Sequence, residues 1–159
     1  MTAHPIPPIF DENSRILILG SFPSVKSREE MFFYGHKQNR FWKVISAVFG
    51  ENEPKTVTEK KSFLLNNGIA VWDVIASCDI EGSADSTIKN VTPNDLLPIL
   101  KTAKIEKIFV NGGTSARFYK KYVEQKIGIK ATTLPSTSPA NAAWSAERLT
   151  NEWKKLLKI

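Results

Sequence analysis

The segment Leu19-Gly-Ser-Phe-Pro-Ser-Val-Lys-Ser-Arg-Glu-Glu-Met-Phe-Phe-Tyr-Gly-His-Lys-Gln-Asn-Arg-Phe-Trp42 joins a short apolar strand to an amphipathic helix. The strand covers residues 15–19, and the apolar residues between 41 and 48 recur at helical spacing. A connection this long and this rich in aromatic residues within a compact domain is usually functional rather than a spacer. We therefore expect it to carry chemistry, with the rest of the chain holding it in place.

Short apolar runs alternate with helical patterns outward from this segment. Strands are predicted over residues 15–19, 69–74, 107–111 and 131–134, and helices over residues 40–49, 57–66, 96–103, 115–125 and 145–157. This alternation is typical of a parallel sheet covered by helices on both faces. The predicted fold class is α/β: a three-layer αβα sandwich around a central, mostly parallel four-stranded sheet, with residues 1–159 as a single domain. Residues 1–14 are expected to be an extended lead-in, and residues 76–91 a polar surface loop that reaches towards the site.

The amino-acid composition restricts the classes of partner and cofactor that the protein is suited to bind. Lysine and arginine number 22 against 16 aspartate and glutamate, and the resulting net charge of +6 favours anionic partners such as nucleic acid. With one cysteine and two histidines the chain lacks the ligands for a disulfide, a thiolate cluster or a protein-built zinc site, so we expect no metal and no cofactor. The sequence shows neither a secretory leader pattern nor an apolar run of membrane-spanning length. We expect a cytoplasmic, monomeric protein with no membrane association.

The fold prediction also locates a site. In open parallel sheets a ligand binds outside the carboxyl ends of the strands. Those ends are followed by residues 20–39, 72–77, 111–113 and 135–141. The sheet rule and the aromatic composition of the first connection therefore indicate the same edge of the molecule.

Candidate residues in the first connection each have two interpretations. The Ser21 hydroxyl is able to hold a water, whereas Gly and Pro beside it also simply end a strand. Tyr34 offers a flat face for stacking a base, although Phe32, Phe33 and Tyr34 are also suited to filling the core beneath a long loop. We expect at least one of the three in the core and one lining the site.

Polar residues of the same connection and of the later loops are also candidates. His36 is able to donate to a leaving group, and the Asn39 amide is able to hold a water, although capping the following helix is its simpler interpretation. Asn111 is placed either to bond a base or to form a turn before Gly112. The hydroxyl-rich loop between two prolines is suited to phosphate contacts through Ser136, Thr137 and Ser138.

Taken together, three motifs resemble those of the uracil-DNA glycosylase superfamily. They are Gly20-Ser-Phe-Pro-Ser24, Phe33-Tyr-Gly-His-Lys-Gln-Asn-Arg-Phe-Trp42 and Leu134-Pro-Ser-Thr-Ser-Pro-Ala-Asn141. The first motif is similar to that of the hypoxanthine-DNA (deoxyinosine) glycosylase branch, whereas Asn-Arg-Phe-Trp-Lys is similar to the mismatch-specific uracil-DNA glycosylase branch. The resemblance covers nearly the entire chain.

The resemblance implies an enzyme of base excision repair. Such a monofunctional DNA glycosylase binds double-stranded DNA carrying a deaminated base, flips the base and hydrolyses its N-glycosidic bond. Asn39 matches an asparagine linked to catalysis in the hypoxanthine branch, and Tyr34 matches the stacking aromatic. We take Asn39, Ser21 and His36 as catalytic. The expected substrate-binding residues are Phe22, Pro23, Phe33, Tyr34, Asn111, Ser136, Thr137 and Ser138.

One departure from the family pattern leaves other functions open. Relatives carry an acidic or amide residue near the first-motif proline to position the water, and this chain has Ser21 there. The alternatives are a mismatch-specific uracil-DNA glycosylase, a non-catalytic DNA- or nucleotide-binding member of the same fold, and a nucleoside hydrolase acting on free inosine. Excision from duplex DNA separates these alternatives.

Overall fold

A computed structural model describes residues 1–158 of the chain. Its elements, in chain order, are β1 (Thr2–Ala3), β2 (Ile16–Gly20), α1 (Val25–Glu30), α2 (Phe41–Val48), α3 (Val57–Asn66), β3 (Ile69–Asp73), β4 (Ile75–Asp79), a 3₁₀ turn (Asp85–Thr87), β5 (Lys89–Pro93), α4 (Leu97–Thr102), β6 (Lys107–Asn111), α5 (Gly113–Tyr122), α6 (Glu124–Ile127), β7 (Ala131–Leu134) and α7 (Ala146–Leu157). No helix in this part of the chain is long and apolar enough to cross a membrane.

The central sheet has the strand order β3-β2-β6-β7, and all of its strand pairs are parallel. This confirms the predicted four-stranded sheet and its strands to within a residue or two. Alternate side chains of a strand point to opposite faces. Ile18 accordingly packs on the side of α2, α3 and α7 with Trp153, whereas Leu17 packs on the side of α4 and α5 with Ile99 and Phe118. The three-layer αβα arrangement is therefore also confirmed.

The loop predicted over residues 76–91 was wrong in part, because the structure has a hairpin there. β4 pairs antiparallel with β5, and β1 pairs with the other edge of β4, which makes a second, three-stranded sheet. These strands are polar and only partly buried, with Pro93 ending β5, so they lack the apolar alternation that reveals a strand. The hairpin tip does reach the site, as expected.

Smaller differences concern helices. The first connection contains α1, which begins at the N-cap Ser24, whose hydroxyl accepts from the Ser27 amide. The predicted helix over residues 115–125 begins two residues earlier and is interrupted at Val123. The lead-in is anchored rather than loose, because Ile9 exchanges two backbone hydrogen bonds with Val71.

Candidate active site

A cavity of about 530 Å³ opens at the carboxyl ends of β2, β3 and β6. Every residue singled out from the sequence contributes to its lining: Ser21, Phe22, Pro23, Phe33, Tyr34, His36, Asn39, Asn111, Ser136, Thr137 and Ser138. The position agrees with the general rule for parallel sheets. The structure also adds residues that the sequence did not single out, notably Asp73, Asp85 and the hairpin tip around Ser83.

Tyr34 forms an aromatic wall of the cavity. Its ring stacks on that of Phe41 with 4.0 Å between the centroids and an angle of 10° between the planes. Phe32 and Phe33 are buried in the core, so the expected division between core and site is observed. The Tyr34 backbone has a φ of 54°, a left-handed conformation that is costly for a side chain of this size. Phe41 therefore covers one face of a ring that lines the cavity.

The Tyr34 hydroxyl is buried and has no hydrogen-bond partner within residues 1–158. It points over Gly20, where a Cβ would lie 3.1 Å from the hydroxyl and would overlap the Asp73 carboxylate. Because a Cβ would have no room there, only glycine fits at the end of β2.

The pKa of the Tyr34 phenol is raised by burial and by the nearby Asp73 charge, whereas the Asn111 amide lowers it.

Asp73, the last residue of β3, is held by the N-terminal segment. Its carboxylate accepts from His4 Nε2 at 2.7 Å, and both side chains are almost fully buried. The Ile6 amide donates to His4 Nδ1, which leaves Nε2 to donate to Asp73. The place of Asp73 at the carboxyl end of a strand was a usable signal in the sequence.

The amides of Asn39 and Asn111 are joined through Thr137. Asn39 Oδ1 accepts from the Phe41 amide at 2.9 Å and from the Thr137 hydroxyl at 2.9 Å. Asn111 Oδ1 accepts from the Thr137 amide, and Asn111 Nδ2 donates to the Thr137 hydroxyl. Because a backbone N–H group donates to each Oδ1 atom, the orientation of both side-chain amides is determined. Asn39 Nδ2 is left with no partner among the described residues, so Asn39 offers the cavity a donor.

This network bears on two expectations from the sequence. Asn39 does support the start of α2, yet the N-cap position itself is Arg40, which makes no side-chain cap bond. The Thr137 side chain has no exposed surface, and its hydroxyl is already bonded to both asparagines. The Thr137 hydroxyl is thus engaged within the fold, whereas Ser136 and Ser138 remain partly exposed. A phosphate contact by this loop stays a prediction.

The loop after β7 is held by Arg40. Its guanidinium donates to the backbone carbonyls of Ser138, Asn141 and Trp144, and the Arg40 amide donates to the Thr137 carbonyl. Gly112 lets the loop approach, because a Cβ there would lie 3.0 Å from Ser136 Cβ. Arg40 thus serves to position this loop.

The opposite rim is built by the hairpin tip docked on the first motif. Ser21 Oγ donates to the Asp85 carboxylate at 3.2 Å, and the Val25 amide donates to Ser83 Oγ at 2.9 Å. Arg28 donates to the Gly82 carbonyl at 2.6 Å. These contacts join residues more than fifty positions apart, so no local pattern in the sequence could reveal them.

The remaining candidates differ in their access to the cavity. His36 is partly exposed, and its Nδ1 accepts from the Gln38 amide, which leaves Nε2–H free to donate. Phe22 and Pro23 are nearly buried, and the Phe22 ring lies beneath the Arg28 guanidinium. Among residues 1–158 no group of three or more histidine, cysteine, aspartate or glutamate side chains is placed to hold a metal ion.

Comparisons with known proteins agree with this geometry. A model of the uracil DNA glycosylase superfamily matches residues 7–158. A protein of Methanosarcina acetivorans named hypoxanthine DNA glycosylase is 34% identical over 153 residues, which is 96% of each chain. A protein of the same name from Methanosarcina barkeri is 33% identical over 138 residues, 85% of each chain. A solution structure from M. acetivorans, described as a candidate uracil DNA glycosylase, has a TM-score of 0.80 at 34% identity and covers 95% of this chain and 93% of its own.

Proposed function

The chain belongs to the uracil DNA glycosylase superfamily, and from that premise we propose that it is a monofunctional DNA glycosylase that removes hypoxanthine from double-stranded DNA. Two relatives that bear the name hypoxanthine DNA glycosylase match it over most of its length. The observation that carries the proposal is the arrangement of Tyr34 and Asn39 in one cavity. Tyr34 lines the cavity with one ring face covered by Phe41, and Asn39 presents an amide donor that has no partner among the described residues.

We assign recognition of the base to side chains that line the cavity. An enzyme that acts on a base must take it out of the stack and read its edge in a pocket. Hypoxanthine stacks on Tyr34, a contact worth about 1–3 kcal/mol. Asn111 keeps one amide proton that its two bonds to Thr137 do not use, and this proton is available to the purine oxygen.

Departure of the base creates positive charge on the sugar and negative charge on the purine. Asp73 and Asp85 both line the cavity, and their carboxylates stabilise a cationic sugar. The donors Asn39 Nδ2 and His36 Nε2 are suited to the developing negative charge on the purine. Because Arg40 and Thr137 hold the surrounding loop in place, these dipoles need little reorganisation during the reaction.

The first experiment is excision from end-labelled duplexes that carry a single hypoxanthine, uracil or unmodified adenine, with alkali to break the abasic site. We expect cleavage at hypoxanthine and none at adenine. Preferential cleavage at uracil would move the protein to a mismatch-specific uracil activity. Binding without an abasic product would identify a non-catalytic member of the fold, and release of the base only from free inosine would identify a nucleoside hydrolase.

A further inference from the structure

The expected catalytic residues leave the water without a proton acceptor. Hydrolysis of the glycosidic bond needs a water aligned with the sugar and relieved of a proton. The Ser21 hydroxyl is not basic, and both acceptor positions of Asn39 Oδ1 are taken by Phe41 and Thr137. His36 offers no acceptor either, because its Nδ1 accepts from the Gln38 amide and its Nε2 carries the proton. Asn39 and His36 are therefore donors in this site, and another group must act as the base.

Asp73 and Asp85 are the carboxylates that line the cavity in the described part of the chain. Asp73 is almost fully buried and is bonded to His4. Asp85 is partly exposed, and its one side-chain bond comes from Ser21, at 3.2 Å to one oxygen and 3.4 Å to the other. A carboxylate has about four acceptor positions, so Asp85 keeps several for water.

The segment around Asp85 is fixed in position. The Thr87 hydroxyl donates to the Ala84 carbonyl and accepts from the Glu81 amide, which closes the hairpin tip on itself. The bonds from Arg28 and Val25 then hold that tip against α1. A catalytic group needs such support, because small displacements reduce the rate severely.

The surroundings of Asp85 raise the pKa of its carboxyl above the ordinary aspartate value. Partial burial raises the pKa of Asp85, and the Asp73 charge raises it further. The hydrogen bond from Ser21 and the Arg117 guanidinium oppose this shift without cancelling it. A higher pKa makes a carboxylate a stronger base.

We propose that Asp85 is the catalytic residue that activates the water, and that Ser21 is the positioning residue that orients its carboxylate. The proposal rests on the glycosylase function given above. The water oxygen bonds to C1′ of the deoxyribose while one water proton passes to Asp85. The C1′–N9 bond breaks, and its electron pair leaves with the purine. The purine gains one proton from solvent and Asp85 returns its own to solvent, so the net reaction adds one water.

The test compares Asp85→Asn with Glu81→Gln in single-turnover excision of hypoxanthine from duplex DNA. Asparagine still accepts from Ser21, so the fold is kept while the base is lost. Glu81 is exposed on the same hairpin tip, and its side chain makes no hydrogen bond or ion pair within residues 1–158, so its variant controls for losing one negative charge near DNA. We expect Asp85→Asn to lose about 100-fold or more in rate with unchanged duplex affinity, and Glu81→Gln to match wild type.

Two further readouts separate chemistry from structure. The wild-type rate should fall at acidic pH as Asp85 becomes protonated, and this fall should be absent in Asp85→Asn. Asp85→Glu should recover part of the rate. An Asp85→Asn protein that excises at the wild-type rate, or that loses rate and duplex binding together, would overturn the role of Asp85. Wild-type protein that leaves hypoxanthine uncut would instead overturn the proposed function.

Discussion

The two polar atoms of the Asn39 side chain have different roles, because the oxygen is bonded within the fold and the nitrogen is available as a donor in the cavity. The oxygen accepts from Phe41 and Thr137, and the nitrogen has no partner within residues 1–158. A substitution that keeps the acceptor and removes the donor can therefore separate the two contributions, because the amide and carboxylate side chains have nearly the same shape.

We expect Asn39→Asp to reduce single-turnover excision by about 100-fold, the usual cost of losing one preorganised donor. Its free energy of unfolding should stay within about 0.5 kcal/mol of wild type, because the acceptor for the Phe41 amide remains. Asn39→Ala removes both contributions and should in addition lose about 1 kcal/mol of stability. Urea unfolding and excision assays measure the two effects, and wild-type excision by Asn39→Asp would contradict the assignment.

At the scale of elements, the loop after β7 is anchored in part by the side chain of Arg40. Arg40 donates to three backbone carbonyls of the loop, those of Ser138, Asn141 and Trp144. A guanidinium presents several donors in a fixed planar arrangement, and an ammonium group cannot reproduce it. The positive charge of Arg40 therefore matters less than its shape.

Arg40→Lys should lose about 1–3 kcal/mol of stability, because buried carbonyls lose their partners. It should also weaken duplex binding, since the loop that carries Ser136 and Ser138 is no longer held. Lys43→Arg, at an exposed position of the same helix, is the matched control and should change neither quantity. Urea unfolding and duplex titration report them, and an Arg40→Lys protein as stable as wild type would show that the loop holds itself.

The strands of the central sheet could be predicted wherever a short stretch of sequence is itself enough to identify a strand. The segments of β2, β3 and β6 are short, mostly apolar runs, so their pattern needs no tertiary information. β4 and β5 gain their stability from pairing with each other, and their polar residues give no such signal. In the site, Tyr34 and Asn39 could be identified from their positions in the sequence motifs. Asp85 could not be identified in this way, because its contact with Ser21 spans 64 residues.

For the molecule as a whole, the net charge of +6 sets the background affinity for DNA. Some of the cations lie close to the cavity and others lie far from it. Lys37 is exposed and follows the rim residue His36. Lys107 is also exposed, but it begins β6 at the amino edge of the sheet, opposite the cavity.

We expect Lys37→Ala to reduce the slope of log binding constant against log salt by about 1, because one phosphate contact is lost. Excision at saturating protein should stay unchanged, since Lys37 does not line the cavity. Lys107→Ala removes the same charge from the opposite edge and should leave the slope as it is. Duplex titrations at several salt concentrations provide the measurement. Equal slopes for wild type, Lys37→Ala and Lys107→Ala would show that Lys37 makes no phosphate contact.

The cavity joins parts of the chain that are made at very different times. His4 meets Asp73 across 69 positions, and Asn39 meets Thr137 across 98. A polypeptide still growing on the ribosome contains the first motif and both aspartates before the loop after β7 has been made. That partial protein lacks the Thr137 link and the carbonyls that Arg40 holds. We therefore expect excision activity to arise late in synthesis and a chain interrupted before residue 137 to leave DNA uncut.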